Sequence, residues 1–202
     1  MDCVPFAFCD AVASTLKEIP LLSKVLRKRS PWKNAFADHF WNRVYLSLSV
    51  LYKDGNWFYE LKKATSLPCK HIYFATNLGE VQAAHRKYVQ FAQLVFYNGQ
   101  HGSASSLPEI KGILEFLRPC VASSLVLFET KAPKEAIVDL LSPFSCEQFR
   151  EIMLLSYEDA FEDLLRKQIK LDTLEVFKTC YPCAHAMDLS SEYEKIKSAR
   201  GG

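Results

Sequence analysis

Residues 91–127 read FAQLVFYNGQHGSASSLPEIKGILEFLRPCVASSLVL, and the change of pattern within them decides the fold. Phe91, Leu94 and Phe96 follow an apolar-x-x-apolar-x-apolar rhythm that suits a strand with one buried face. Ile110 to Leu117 then places apolar side chains at helical spacing, and Ala122, Leu125 and Leu127 repeat the strand rhythm. Two strands joined through a helix lie parallel, because such a crossover carries the chain back to its starting end.

The same unit recurs on both sides. Its strand pattern appears again as Cys69/Ile72/Phe74, Phe149/Ile152/Leu154 and Leu171/Leu174/Val176, with spacings of 22, 31, 27 and 22 residues along the series of five. Helical runs are expected at Glu80–Tyr88, Pro133–Leu141 and Tyr157–Ile169. The segments Ile113–Leu117, Ile137–Leu141 and Phe161–Leu165 recur at a spacing of 24 each time. A helix-strand unit this short cannot cover its own apolar face, so neighbours stack into a parallel sheet backed by helices. The pattern resembles leucine-rich repeats, with their characteristic Asn represented only by Asn98, and a plain α/β layer is the rival architecture. Glu80 to Asn98 also fits one long helix, since Val81, Ala84, Tyr88, Phe91 and Val95 share a helical face. The polar residues 188–202 are expected to fray as a tail.

Upstream, Val44, Leu46, Leu48 and Val50 alternate with Tyr45, Ser47, Ser49 and Leu51, the period of a half-buried strand. Asp54-Gly55 then reverses the chain before the aromatic run Trp57-Phe58-Tyr59, which predicts a β-hairpin. Further upstream, Val4 to Trp32 reads as short amphipathic helices with proline punctuation. Pro5 suits a first helical position, followed by Phe8, Cys9, Val12 and Leu16. Pro20 interrupts, Leu21, Leu22, Val25 and Leu26 resume, and Pro31 is expected to end the second helix before Trp32 and a connector.

This N-terminal arrangement resembles an F-box. Phe8, Cys9, Val12 and Leu16 stand three, four, seven and eleven residues after Pro5, the offsets of that motif. Leu21 and Leu22 stand where its next leucines fall, Val4 replaces its usual Leu, and Trp32 comes one residue later than in the family. The opening MDCVPFAFCDAV is also similar to the start of a large family of F-box-like proteins expanded in nematodes. The resemblance implies that Val4, Pro5, Phe8, Cys9, Val12, Leu16, Leu21, Leu22 and Trp32 bind a Skp-family adaptor of a cullin-RING ubiquitin ligase. The bland alternative is an amphipathic hairpin packed on its own domain.

The expected class is therefore α/β: an F-box-like helical unit over residues 1–36, a hairpin and α/β repeat domain over 37–187, and a polar tail over 188–202. A composition of 49% hydrophobic and 24% charged residues is ordinary for a globular chain and excludes a disordered one. A net charge of +2 gives no reason to expect a nucleic-acid partner, and the cluster Lys24, Arg27, Lys28, Arg29 and Lys33 reads as a solvated helix face. No apolar run approaches the ~18 residues of a membrane span, so no membrane association and a cytoplasmic or nuclear location are expected.

Catalytic chemistry is sparse. The seven cysteines are odd in number and sit mostly in apolar settings, which suits reduced, buried thiols. Cys180-Tyr-Pro-Cys183, with His185 nearby, superficially resembles a redox or metal motif, but it lacks a following redox domain and a fourth ligand. His39, His71, His85 and His101 are scattered, Glu158-Asp159 and Glu162-Asp163 read as solvated helix faces, and no glycine-rich phosphate loop is present. No catalytic residue, metal or cofactor is expected.

An adaptor fits these features: N-terminal helices that need a partner, and a repeat domain with a broad face. That face is assigned to Tyr73, Val95, Tyr97, Val126, Phe128, Met153, Leu155 and Phe177, the strand residues pointing away from the helices. In an open arc they would capture an unknown protein substrate for ubiquitination, whereas in a two-sided layer they would be core. A stand-alone repeat scaffold without any ubiquitin-ligase link is the alternative. Because no disulfide or metal is expected to support the fold, reductant or chelator should leave the thermal midpoint unchanged. A fall on adding a zinc chelator, abolished by Cys183→Ser, would contradict that.

Overall fold

The computed structural model describes residues 5–15, 31–65, 73–84, 86–118, 124–127, 130–144, 149–155, 161–171, 174–180 and 184–200. In chain order these form α1 (Phe6–Thr15), α2 (Pro31–Asn42), β1 (Val44–Lys53), β2 (Asn56–Thr65), β3 (Tyr73–Ala75), α3 (Leu78–Ala83), a 3-10 turn (Arg86–Tyr88) and β4 (Val89–Asn98). They continue as β5 (Ser103–Ser105), α4 (Leu107–Leu117), β6 (Ser124–Leu127), α5 (Lys134–Leu141), a 3-10 turn (Ser142–Phe144), β7 (Glu151–Leu154), α6 (Glu162–Ile169), β8 (Val176–Thr179) and α7 (Ala184–Arg200). The strand order is β3-β2-β1-β4-β6-β7-β8, with β5 also paired to β2. The fold is the expected α/β class, with parallel strands backed by helices. Two compact units divide the chain, Met1–Leu46 with Lys62–Gln90, and Ser47–Leu61 with Phe91–Gly202.

In the second unit β4, β6, β7 and β8 are consecutive parallel neighbours, in register as Leu94↔Leu125↔Ile152↔Phe177 and Phe96↔Leu127↔Leu154↔Thr179. Every new strand is thus added to the same edge. Crossovers between parallel strands are right-handed almost without exception, so growth in one direction places each connecting helix on one face. Burial agrees. Leu94, Phe96, Leu125, Leu127, Ile152, Leu154 and Phe177 are all buried, together with Ile113 and Leu117, Ile137 and Leu141, and Phe161 and Leu165 from the 24-residue repeat. Phe144 ties the layer together through ring centroids 6.1 Å from Phe91 and 5.7 Å from Phe149. Asn98 acts across repeats: its Oδ1 accepts the backbone N–H of Lys131 at 2.9 Å.

The hairpin is as predicted. Asp54 and Gly55 have φ of 49° and 84°, the two positive values that a two-residue type I′ turn requires. Ser106 and Glu109 form a capping box at the start of α4, each side chain meeting the other's backbone N–H. The Ser106 amide and the Ser105 hydroxyl hold the Glu109 carboxyl below its ordinary value.

Five expectations are corrected. The first expected repeat strand does not join the parallel series: Phe74 is exposed in β3, which pairs antiparallel with β2. Pro31 does not precede a connector; it opens α2, where proline's missing N–H costs nothing, and this helix runs past residue 36 to Asn42. Glu80–Tyr88 is not one helix but α3 followed by a 3-10 turn, and the chain from Val89 is strand, which removes the long-helix alternative. Asn77 caps α3 by accepting the Glu80 N–H at 2.9 Å. Residues 188–200 do not fray but belong to the 17-residue helix α7, which buries Ala186, Leu189 and Tyr193. Phe177, assigned to the outward face, lies in the buried row. The N–H groups of both Glu175 and Val176 bond to the carbonyl of Arg150, at 2.8 and 3.0 Å, and this doubled residue shifts the phase of β8 by one. The expected strand residues Cys69 and Ile72 and helix residues 157–160 lie outside the described residues.

Two substitutions check this fold. Ser106→Ala should cost about 1 kcal/mol by urea denaturation. The contribution of Glu109 should be present above the unfolded carboxylate pKa of about 4.3 and fade as pH falls through its lowered folded value. Leu189→Ala should cost about 2–4 kcal/mol, whereas a fraying tail would lose under about 0.5 kcal/mol.

Candidate functional site

Two surfaces carry the residues singled out by sequence, one in each unit. In the first unit, α1 and α2 pack side by side. Phe8 meets Trp32 at the start of both helices and the Ala13 carbonyl meets Arg43 beyond the end of α2, so the helices run in the same direction. Their apolar seam is made of Cys9, Ala13, Ala35 and Phe36, with Trp32 half-buried against it. Trp32 stacks on Phe36 at 5.6 Å and receives Phe8 edge-on at 5.9 Å.

Of the proposed adaptor-binding residues, Pro5 is exposed, Phe8 is 55% exposed, and Val12 and Trp32 are half-buried. Phe6, not singled out by sequence, is 46% exposed on α1. Cys9 is fully buried, because helical geometry turns it and Ala13 to the seam while Phe6 and Phe8 face outward. It is therefore no surface residue. Val4, Leu16, Leu21 and Leu22 lie outside the described residues.

Sequence reasoning missed a polar cluster behind this seam. His39 is fully buried, with Nε2 3.0 Å from Asp10 Oδ1, while its Nδ1 has no partner among the described residues, which assigns the ring proton to Nε2. Lys87 Nζ lies 3.3 and 3.4 Å from the two Asp10 oxygens, 3.5 Å from Asp38 Oδ2, and 4.6 Å from the Tyr88 ring centroid. The Tyr88 hydroxyl donates to Asp38. That bond, with Lys87 beside it, holds the Asp38 carboxyl below its ordinary value, while burial and then Asp38 push the Tyr88 hydroxyl up. Tyr88 and then Asp10 raise Lys87. Buried Arg43 donates to the Ala13 carbonyl at 2.7 Å, and Gln90 to that of Ser14 at 2.9 Å, so both close the carbonyl end of α1. Nothing in the sequence marks Asp10, Arg43, Lys87 and Gln90 as neighbours, because up to 77 residues separate the bonded pairs.

In the second unit the face away from the helices carries two rows. One is Val95↔Val126↔Met153↔Lys178 and the other is Gln93↔Ser124↔Glu151↔Val176, both set by strand register. Val95 and Met153 are half-buried and Val126 is 5% exposed, enclosed by its two neighbouring strands. Lys178 pairs with Glu151 at 3.6 Å. Tyr97 and Leu155 continue the face at the carboxyl ends of β4 and β7, both half-buried, and the Tyr97 hydroxyl is hydrogen-bonded to His101 Nε2. Of the eight residues assigned to this face, the structure brings together Val95, Tyr97, Val126, Met153 and Leu155. Phe177 is in the core, Phe128 lies outside the described residues, and Tyr73 belongs to β3, opposite Ala64 of β2.

No group of His, Cys, Asp or Glu suited to a metal occurs among the described residues. Cys180 is an exposed free thiol, contrary to the buried setting expected of it, and Cys183 lies outside the described residues. No described helix is long and apolar enough to cross a membrane. Comparison of the chain with protein-family models, with curated proteins and with solved structures finds no match.

The ionised Asp38 should stabilise the first unit above the unfolded carboxylate pKa of about 4, and that contribution should be lost as pH falls through its lower folded value. The stability gap between wild type and Asp38→Asn, measured by urea denaturation, should therefore close in acid.

Proposed function

We propose that the chain is a substrate-recognition adaptor of a cullin-RING ubiquitin ligase, docking a Skp-family protein through α1 and its neighbours and a protein substrate through the sheet face away from the helices. The observation that carries this reading is the exposure of Phe6 and Phe8 on a helix whose other side packs on α2. Large aromatic side chains left exposed on a short helix are candidate anchors for a partner, and Phe8 adjoins half-buried Trp32 there. The F-box-like offsets from Pro5 supply the partner's class. The apolar row Val95, Val126 and Met153 gives the substrate surface, with catalysis residing in the ligase's other subunits.

A stand-alone scaffold is favoured by the bonds from Arg43, Lys87 and Gln90, which make α1 an integral part of its unit. Co-purification of the full chain with a Skp-family protein separates the two. Phe8→Asp should abolish that binding while lowering stability by less than about 1 kcal/mol, because the side chain is mostly exposed. Loss of the thermal transition in Phe8→Asp, or no binding by wild type, would favour the scaffold. On the sheet, Val95→Glu with Met153→Glu should leave the protein folded and monomeric but unable to capture substrate. Unfolding of that double variant would remove the sheet face from the reading.

A further inference from the structure

We infer that Lys87 is a positioning residue for α1: a single ammonium, 77 positions away in sequence from Asp10, serves as common counter-ion to carboxylates on two different helices. Asp10 belongs to α1 and Asp38 to α2, and both lie within 3.5 Å of Lys87 Nζ. Taking the charge away leaves two carboxylates across the helix pair without their shared cation, with His39 still bonded to Asp10, and Tyr88 and Asn42 still bonded to Asp38. To the described apolar seam α1 gives two small buried residues, Cys9 and Ala13, against Ala35 and Phe36, with half-buried Trp32 packed on it and Phe8 meeting Trp32 edge-on. The two small residues of α1 alone set little buried area against that repulsion, so the order of α1 depends on Lys87. Gln90, three residues further on, acts in the same direction on the Ser14 carbonyl. The surface carrying Phe6 and Phe8 is therefore completed by the chain leading into β4, and residues 1–36 are not a self-sufficient docking module. The claim about α1 order stands by itself; its consequence for adaptor binding rests on the function proposed above.

Hydrogen exchange on the full chain tests it, with adaptor binding as a second readout. Lys87→Gln should raise exchange of the amides in residues 6–15 about tenfold, the scale of two partly exposed ion pairs lost together, without changing β7. Lys87→Arg should stay near wild type. Lys87→Gln combined with Asp10→Asn should return toward wild type, because Asn keeps an acceptor for His39 while removing one of the opposed charges. Unchanged exchange in Lys87→Gln would overturn the inference. So would failure of Asp10→Asn to rescue it, which would trace the effect to packing of the lysine on Tyr88. Where wild type binds a Skp-family protein, Lys87→Gln should weaken that binding in the same proportion. If wild type does not bind, the adaptor reading falls and the exchange result still decides the role of Lys87.

Discussion

Growth of the parallel sheet in one direction is the constraint on which the second unit depends. Because β6, β7 and β8 are each laid on the same edge, a fixed crossover hand puts α4, α5 and α6 on one side. A doubly wound sheet escapes this by reversing direction at a switch point, and its strands are then apolar on both faces. Here the two faces differ in chemistry as the topology demands. The helix side carries Leu, Ile and Phe without a polar residue until Thr179, whereas the other side mixes Val95, Val126 and Met153 with Gln93, Ser124, Glu151 and Lys178. A sheet meant to be covered twice would not place an ion pair between Glu151 and Lys178 on its second face.

The first unit is built on a different principle. To its helix seam α1 gives the small residues Cys9 and Ala13, set against Ala35, Phe36 and half-buried Trp32, and small residues bury little apolar area of their own. Polar bonds take up the difference. Arg43 and Gln90 supply donors to carbonyls that α1 cannot satisfy by itself, and a cation at that end also suits the helix dipole. Fully buried His39 faces Asp10, whose charge Lys87 balances from the solvent side. Each of these donors comes from outside α1, so the helix is specified by distant sequence rather than by its own pattern.

That difference explains what could be read in advance. The strands β4, β6 and β7 and the helices α4, α5 and α6 of the second unit were legible because an apolar rhythm returns at spacings of 24 to 31 residues, and the Asp54-Gly55 turn was legible because few dipeptides tolerate two positive φ values. The phase of β8 was not, since the doubled bonding to Arg150 depends on tertiary packing and shifts Phe177 into the core without altering composition. Pro31 was ambiguous in principle: proline both follows helices and opens them, and only the packing of Phe36 and Trp32 on α1 decides. The cluster of Asp10, Asp38, His39, Lys87 and Tyr88 has no sequence signal at all, being scattered charged and aromatic residues until the fold collects them.

The helix α7 shows why a segment held mainly by polar bonds is hard to read. A helix that packs on the stack along one side buries only that side and presents the other to water. Its apolar stripe is therefore thin by necessity: Ala186, Leu189 and Tyr193 among charged neighbours. The rest of its attachment is polar and invisible to hydropathy. Tyr193 donates its hydroxyl to the Glu175 carbonyl, Arg166 bridges to Glu192, and Arg200 donates to the carbonyls of Leu171 and Lys170, which close the exposed end of α6. A cation placed there serves two ends at once, fixing α7 and completing the helix before it. The features that make this segment resemble a solvated tail are the ones that fix it as a helix on α6 and β8.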